Sequence, residues 1–246
     1  MATTREVELA NTLAAVRERL ALAAQAAGRT ADEIELLPIT KFFPATDVLI
    51  LSHLGCHSFG ESREQEAAAK WAECNSADPA SPIRWHMVGR IQRNKARSIA
   101  NWAYAAHSVD SAKVIAALDR AASGALDEGA RSAPLRVYLQ ISLDGDAERG
   151  GVDIGRPDLV DALCAQAQAA PGLEFVGLMG IPPLGVDADE AYARLQAEHH
   201  RVQAAYQQRL ELSAGMSGDL EAAIEHGSTC VRVGTALLGQ RPLPSP

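Results

Sequence analysis

Cysteine is scarce and spaced to no evident purpose: Cys56, Cys74, Cys164 and Cys230 are the only four, far apart and without a C-x-x-C pair. That spacing excludes a zinc site and a disulfide framework, and no metal is expected. Apolar runs long enough to span a bilayer are absent, and the charges at Arg5 and Glu6 do not suit a secretory signal. Positive charge is in deficit. With 23 Lys and Arg against 31 Asp and Glu the net charge is −8, which favours solubility and argues against general nucleic-acid binding. The G-x-G-x-x-G turn of a dinucleotide-binding sheet is also missing. These absences leave a protein of the reducing cytoplasm, without membrane contact, as the expectation.

What remains is an ordinary globular composition, 47% apolar and 22% charged over 246 residues. Its patterning alternates. Leu9, Leu13, Val16 and Leu20 repeat at four, three and four, so 4–27 reads as a helix ended by Gly28. A strand then runs to Lys41, a short helix covers 45–54, and 56–61 is a second strand. A helix at 63–74 leads into the loop-like segment 75–82. Further strands are expected at 84–89, 102–109, 135–143, 174–181, 210–217 and 230–238. Between them, helices are expected at 92–101, 112–122, 157–169, 189–210 and 219–225, the second capped by Asp110 and Ser111. Eight strands separated by helices imply parallel pairing and a closed (β/α)8 barrel of the TIM type, rather than an open sheet. No linker or internal repeat appears, so residues 1–246 are expected to form one domain. No helix-sized segment follows the last strand, and the N-terminal helix is expected to cover that place.

The run Leu36-Leu37-Pro38-Ile39-Thr40-Lys41 ends in a lysine. At a period of two, Leu37, Ile39 and Lys41 share one face, so an inward Leu37 and Ile39 carry Lys41 to the barrel mouth. A free lysine has a pKa of about 10.4, and fewer than about one in a thousand are neutral near pH 7. An apolar pocket lowers that pKa and frees the amine to attack an aldehyde. The plainer alternative is a lysine that reaches from the strand end into water. Ligands of such barrels sit at the carboxyl ends of the strands, and phosphates often at the loops after strands seven and eight. There, Gly215-Met216-Ser217-Gly218 opens into a helix whose free N–H groups favour an anion. Arg232-Val233-Gly234-Thr235 offers a guanidinium for a bidentate pair with phosphate and a glycine that lets backbone approach a ligand. The alternative is that Ser217 only caps its helix and Gly234 only packs. An amine trap and a phosphate cup in one barrel mouth fit pyridoxal 5′-phosphate (PLP).

Several segments together carry a resemblance. They are Thr40-Lys41, Phe59-Gly60-Glu61-Ser62-Arg63-Glu64-Gln65-Glu66 and Trp85-His86-Met87-Val88-Gly89-Arg90-Ile91-Gln92-Arg93-Asn94-Lys95. His107-Ser108-Val109-Asp110, Gly177-Leu178-Met179-Gly180-Ile181-Pro182 and Leu212-Ser213-Ala214-Gly215-Met216-Ser217 follow, and Gly227-Ser228-Thr229-Cys230-Val231-Arg232-Val233-Gly234-Thr235 closes the series. In this order, over nearly the whole length, they resemble the YggS/PROSC family of pyridoxal-phosphate homeostasis proteins. The resemblance implies a barrel like the N-terminal domain of alanine racemase, with PLP bound as a Schiff base on Lys41. It implies Ser217, Arg232, Gly234 and Thr235 as phosphate binders, and Met87, Met179 and Met216 as neighbours in the wall. Ser62 is expected beside the cofactor, but where the family usually has asparagine, so it brings no amide. Gly180 stands where alanine is common, and Ala214 where methionine is common.

The function so implied is intracellular PLP homeostasis, buffering or delivery without a catalytic cycle. A small PLP-dependent amino-acid racemase is the alternative, and a barrel aldolase using Lys41 on a sugar phosphate a weaker one. Two-base racemases on this barrel take a tyrosine from a second domain of a partner chain, and this chain stops at Pro246 without one. Tyr192 and Tyr206 read as an outer helix stripe, Tyr104 as part of a weak strand and Tyr138 as early in strand five, so none is expected to oppose Lys41. Expected partners are PLP, amino acids that could release it and PLP-dependent apo-enzymes, and a monomer is expected. The basic stretch Arg84, Arg90, Arg93, Lys95 and Arg97 reads as a solvated face or a rim that steers anions. His199 reads as packed and His200 as outward, while His86 is either packed or at the mouth.

Overall fold

A computed structural model describes residues 3–80, 83–146 and 148–240. The first helix, α1 (Thr4–Ala26), begins with a capping box in which the Thr3 hydroxyl accepts from Glu6 N–H and the Glu6 carboxylate from Thr3 N–H. Its stripe of Leu9, Leu13, Val16 and Leu20 is buried.

Strand and helix then alternate: β1 (Glu35–Pro38), α2 (Ala45–His53), β2 (Ser58–Glu61), α3 (Glu64–Ala77), β3 (Arg84–Met87), α4 (Ala96–Trp102), β4 (Ala103–Val109) and α5 (Ala112–Asp127). After β5 (Leu135–Ser142) and a two-residue β6 (Val152–Asp153) come α6 (Pro157–Ala169), β7 (Leu173–Gly180) and α7 (Ala188–Gln203). The last elements are β8 (Glu211–Ser213), α8 (Leu220–Glu225), β9 (Cys230–Val233) and α9 (Thr235–Leu238). All pairs are parallel, in the order β1-β9-β8-β7-β5-β4-β3-β2, with β6 paired to β5 off this path. The remaining seam, between β1 and β2, is closed by a bridge between Ile39 and Gly60 and by Thr40 N–H donating to Gly60 O at 3.0 Å. A Cβ at Gly60 would lie 2.4 Å from Ile39 Cδ1, so the glycine leaves room for the Ile39 side chain at this bridge. The result is the (β/α)8 barrel that the alternation predicts, with α1 packed on α2, α8 and α9.

Several element ends differ from the sequence expectation. Strand β8 stops at Ser213 because Gly215 turns the chain at φ +92°. Strand β9 stops at Val233, and 235–238, expected as strand, forms α9, with the N–H groups of Leu237 and Leu238 donating to Gly234 O. Helix α7 ends at Gln203 instead of running to 210, because the Gln203 side chain bonds Tyr206 O, Gln208 O and Leu210 N–H and stops the coil. Helix α5 runs on to Asp127, with Ala122 and Ala125 buried, and α3 takes in 75–77 of the expected loop. Ser81 and Pro82 of that loop lie outside the described residues, as do 241–246.

The larger apolar core lies between strands and helices. Inside the barrel the filling is mixed. Leu37, Ile39 and Cys230 form one small cluster and Ala105, Tyr138, Val176 and Met179 another. Buried His86, His107, Ser213 and Arg232 add hydrogen-bonding groups to the interior.

Candidate functional site

Lys41 lies just past the last bridge of β1, in a turn rather than on the strand itself. The turn is closed by Phe43 N–H donating to Thr40 O at 3.0 Å. Its next residue, Phe42, is the one non-glycine residue with positive φ among those described, at +72°. That left-handed conformation costs about 1–2 kcal/mol for an L residue and persists only where its surroundings hold it. The holding groups come from the end of β2. Thr40 Oγ1 donates to Glu61 Oε1 at 2.6 Å, and the Arg63 guanidinium lies over the Phe42 ring at 5.1 Å. From α3, Lys70 Nζ donates to Glu61 Oε1 at 2.6 Å and to Thr40 O at 2.9 Å. Thr40, Glu61 and Lys70 are all buried.

Across the mouth, Tyr192 Oη accepts from Gly215 N–H at 3.1 Å, and Asp219 Oδ1 accepts from Met216 N–H at 2.6 Å. Tyr192 thus faces inward behind this loop, not outward on a helix stripe. The Ser217 hydroxyl accepts from Ala236 N–H at 3.3 Å, so the turns after β8 and β9 meet. It does not cap α8; that position belongs to Asp219. From behind, Arg19 of α1 donates to Ser217 O at 2.7 Å and pairs with Glu221.

Arg232 forms the floor. It is 5% exposed, and its Nη1 donates to Ser213 Oγ at 2.6 Å and its Nη2 to Gly180 O at 2.9 Å. No carboxylate lies within ion-pair distance among the described residues, and burial lowers its pKa. The chain of contacts continues downward. His107 Nδ1 meets Ser213 Oγ at 2.8 Å, and His107 Nε2 meets His86 Nδ1 at 2.9 Å. Burial pushes both imidazoles down, His86 to about 3, so both are neutral near pH 7. His86 therefore lies inside the barrel, below the mouth.

One cavity of about 390 Å³ opens at the carboxyl ends of the strands and joins these parts. Lys41, Ser62, Met216, Ser217, Arg232, Gly234 and Thr235 all line it. Two residues of the sequence reading do not. Met87 sits between His86 and Val88 on β3; the period of two turns it outward into the core against the helices, beside a different cavity. Met179 lies deeper, in the cluster with Tyr138, two residues before Ile181, which does reach the wall. Arg232 lines the same cavity as Ser217, Gly234 and Thr235, with two of its donors held by Ser213 and Gly180. Among the described residues, the lining contains two cations, Lys41 and Arg232, and no carboxylate, imidazole or phenol. The reading from sequence missed Phe42, Gly89 and the Glu61–Lys70 pair. A signal for Lys70 was present: Ala67, Lys70 and Cys74 form one buried helical stripe, an unusual place for a lysine.

The family model for the alanine racemase N-terminal domain matches residues 12–242. A pyridoxal phosphate homeostasis protein of Mycobacterium tuberculosis is 64% identical over 248 residues, covering 98% of this chain and 96% of the relative. One of Corynebacterium glutamicum is 46% identical over 216 residues, covering 87% and 94%. Among solved structures, PipY of Synechococcus elongatus with PLP bound superimposes with a TM-score of 0.78 at 33% identity, covering 94% of this chain and 100% of PipY. The chain therefore belongs to the alanine racemase N-terminal domain family and, within it, to the pyridoxal phosphate homeostasis proteins.

Proposed function

We propose that this chain binds PLP in the cavity at the barrel mouth through the Lys41 amine, and that it stores and hands over the cofactor within the cell without a catalytic cycle. The observation that carries this is the shared lining: Lys41, the Ser217–Gly218 turn and the Gly234–Thr235 turn face one cavity that, among the described residues, holds two cations and no carboxylate. That donor set fits a phosphate monoester bearing an aldehyde. When bound, PLP would supply an aldehyde, and Lys41 would be the residue whose amine holds it. The Ser217 hydroxyl and the backbone of Gly234 and Thr235 would take the phosphate, Ser62 and Met216 would flank the ring, and Arg232 would support it from below.

Chemistry at an amino acid's α-carbon needs a second acid or base placed against it. Besides Lys41, the lining offers no carboxylate, imidazole or phenol among the described residues. The four tyrosines are engaged elsewhere: Tyr138 donates to Glu211, Tyr104 accepts from Arg136, Tyr192 holds Gly215 and Tyr206 packs on Phe175. An amino acid arriving in the cavity would compete with Lys41 for the aldehyde and so release the cofactor.

Borohydride reduction of the PLP-loaded protein should fix the label on the peptide containing Lys41, and Lys41→Ala should abolish it. A label on another lysine that survives in Lys41→Ala overturns the assignment. Incubation with L-alanine in deuterium oxide should give release of PLP. Racemisation or α-deuteration at about one per second or faster would make the chain an enzyme.

A further inference from the structure

Burying an ion pair is costly, and the desolvation of both charges often outweighs their attraction. Glu61 is 0% exposed and Lys70 8%, yet Lys70 is not spent on Glu61 alone. Its ammonium divides its bonds between the Glu61 carboxylate and the Thr40 carbonyl, and the same carboxylate oxygen accepts from Thr40 Oγ1. Both polar groups of Thr40 outside the seam bond are thus held, and Thr40 is the residue before Lys41. On the other side of Lys41, strained Phe42 is held by Arg63, two residues after Glu61. The end of β2 therefore grips the turn on both flanks of the lysine, and Lys70 of α3 locks the grip from behind. An apolar pair would fill the same space without fixing a carbonyl.

We infer that Glu61 and Lys70 are positioning residues for Lys41: their buried pair fixes the 40–42 turn so that the amine meets an aldehyde at the cavity, without touching the ligand themselves. This rests on the reading of Lys41 as the capturing amine. Pyridoxine 5′-phosphate separates the two roles, because it carries the same ring and phosphate with an alcohol in place of the aldehyde. It can fill the cavity but cannot bond to Lys41.

The test compares PLP with pyridoxine 5′-phosphate by calorimetry on the full chain, together with the visible absorbance of the PLP-loaded protein. The double variant Glu61→Gln/Lys70→Met leaves no orphaned buried charge. It should bind pyridoxine 5′-phosphate within about twofold of wild type while losing PLP affinity by about 10- to 100-fold, the scale of a misplaced reacting group. Its visible absorbance per bound PLP should fall in parallel. Thr40→Val, which removes only the hydroxyl arm, should show the same split at smaller size and serves if the double variant does not fold. Lys70→Arg, which keeps the donors, should recover part of the loss. Equal loss of both ligands would make the pair a general structural element, and no loss of either would make it a bystander; each overturns the inference. If wild type captures PLP on a lysine other than Lys41, the underlying reading fails, and this inference with it.

Discussion

Five N–H donors on a guanidinium allow it to serve two tasks at once, and Arg232 already has one of them filled by Ser213 and Gly180. Alternate residues on a strand are separated by about 6–7 Å, so Arg232 sits one layer below Gly234, where on the proposed binding mode it would meet the ring end of the ligand. Arg232→Gln is accordingly expected to weaken PLP and pyridoxal by similar factors, on the order of tenfold in equilibrium titrations. A loss confined to PLP would return Arg232 to the phosphate. Below it, His86 and His107 give a pH signature. Burial keeps both neutral in the folded chain, whereas in the unfolded chain each takes up a proton near pH 6.5. The unfolded state thus binds more protons as pH falls, so stability is full above about 6.5 and declines from there toward about 3, the value for His86. The slope is at most about 1.4 kcal/mol per pH unit for each histidine. Urea midpoints at pH 7 and 5.5 should show the decline, and His86→Gln should flatten it; equal midpoints in wild type would contradict the buried neutral pair.

At the level of elements, the close approach of β2 and the end of β3 is set by Gly89. A Cβ there would lie 1.9 Å from the Ser62 carbonyl oxygen, a backbone atom that cannot swing aside. Gly89→Ala should destabilise the chain by about 3 kcal/mol and displace Ser62 from the cavity wall, visible as a lower urea midpoint together with weaker PLP binding. A neutral result in both would mean that the two strand ends can separate at little cost. Much at this level was legible from the chain. Alternation gave the eight barrel strands and seven of the helices between them, and Leu37 and Ile39 do face inward as their period of two requires. Met87 shows the limit: the period is plain on 84–88, but its phase is set by which face meets the helices, and that is a tertiary fact. The ends of β8 and β9 were also beyond reach, because a short apolar run such as 236–238 suits a strand and a turn of helix alike. The grip on Lys41 joins residues 40, 61 and 70 across three elements, and no local pattern encodes such a meeting.

For the whole molecule, the place of α1 has a consequence for synthesis. It occupies the ring position after the last strand, and its bonds run to the far end of the chain: Thr12 Oγ1 to Leu237 O and Arg5 Nη2 to Leu238 O, 225 and 233 positions apart. The first helix to leave the ribosome thus waits for nearly the last residues before its apolar stripe finds cover. Contacts of such separation are slow to form, and exposed stripes invite association in the meantime. Chains truncated at residue 209, before β8, lack both α8 and α9 and should therefore be cut within α1 by a protease that leaves full-length α1 intact. Equal resistance would mean that α1 docks on α2 alone. On this geometry the barrel cannot close strand by strand as it emerges; its mouth, with the cavity and Lys41, forms only when the two ends of the chain meet.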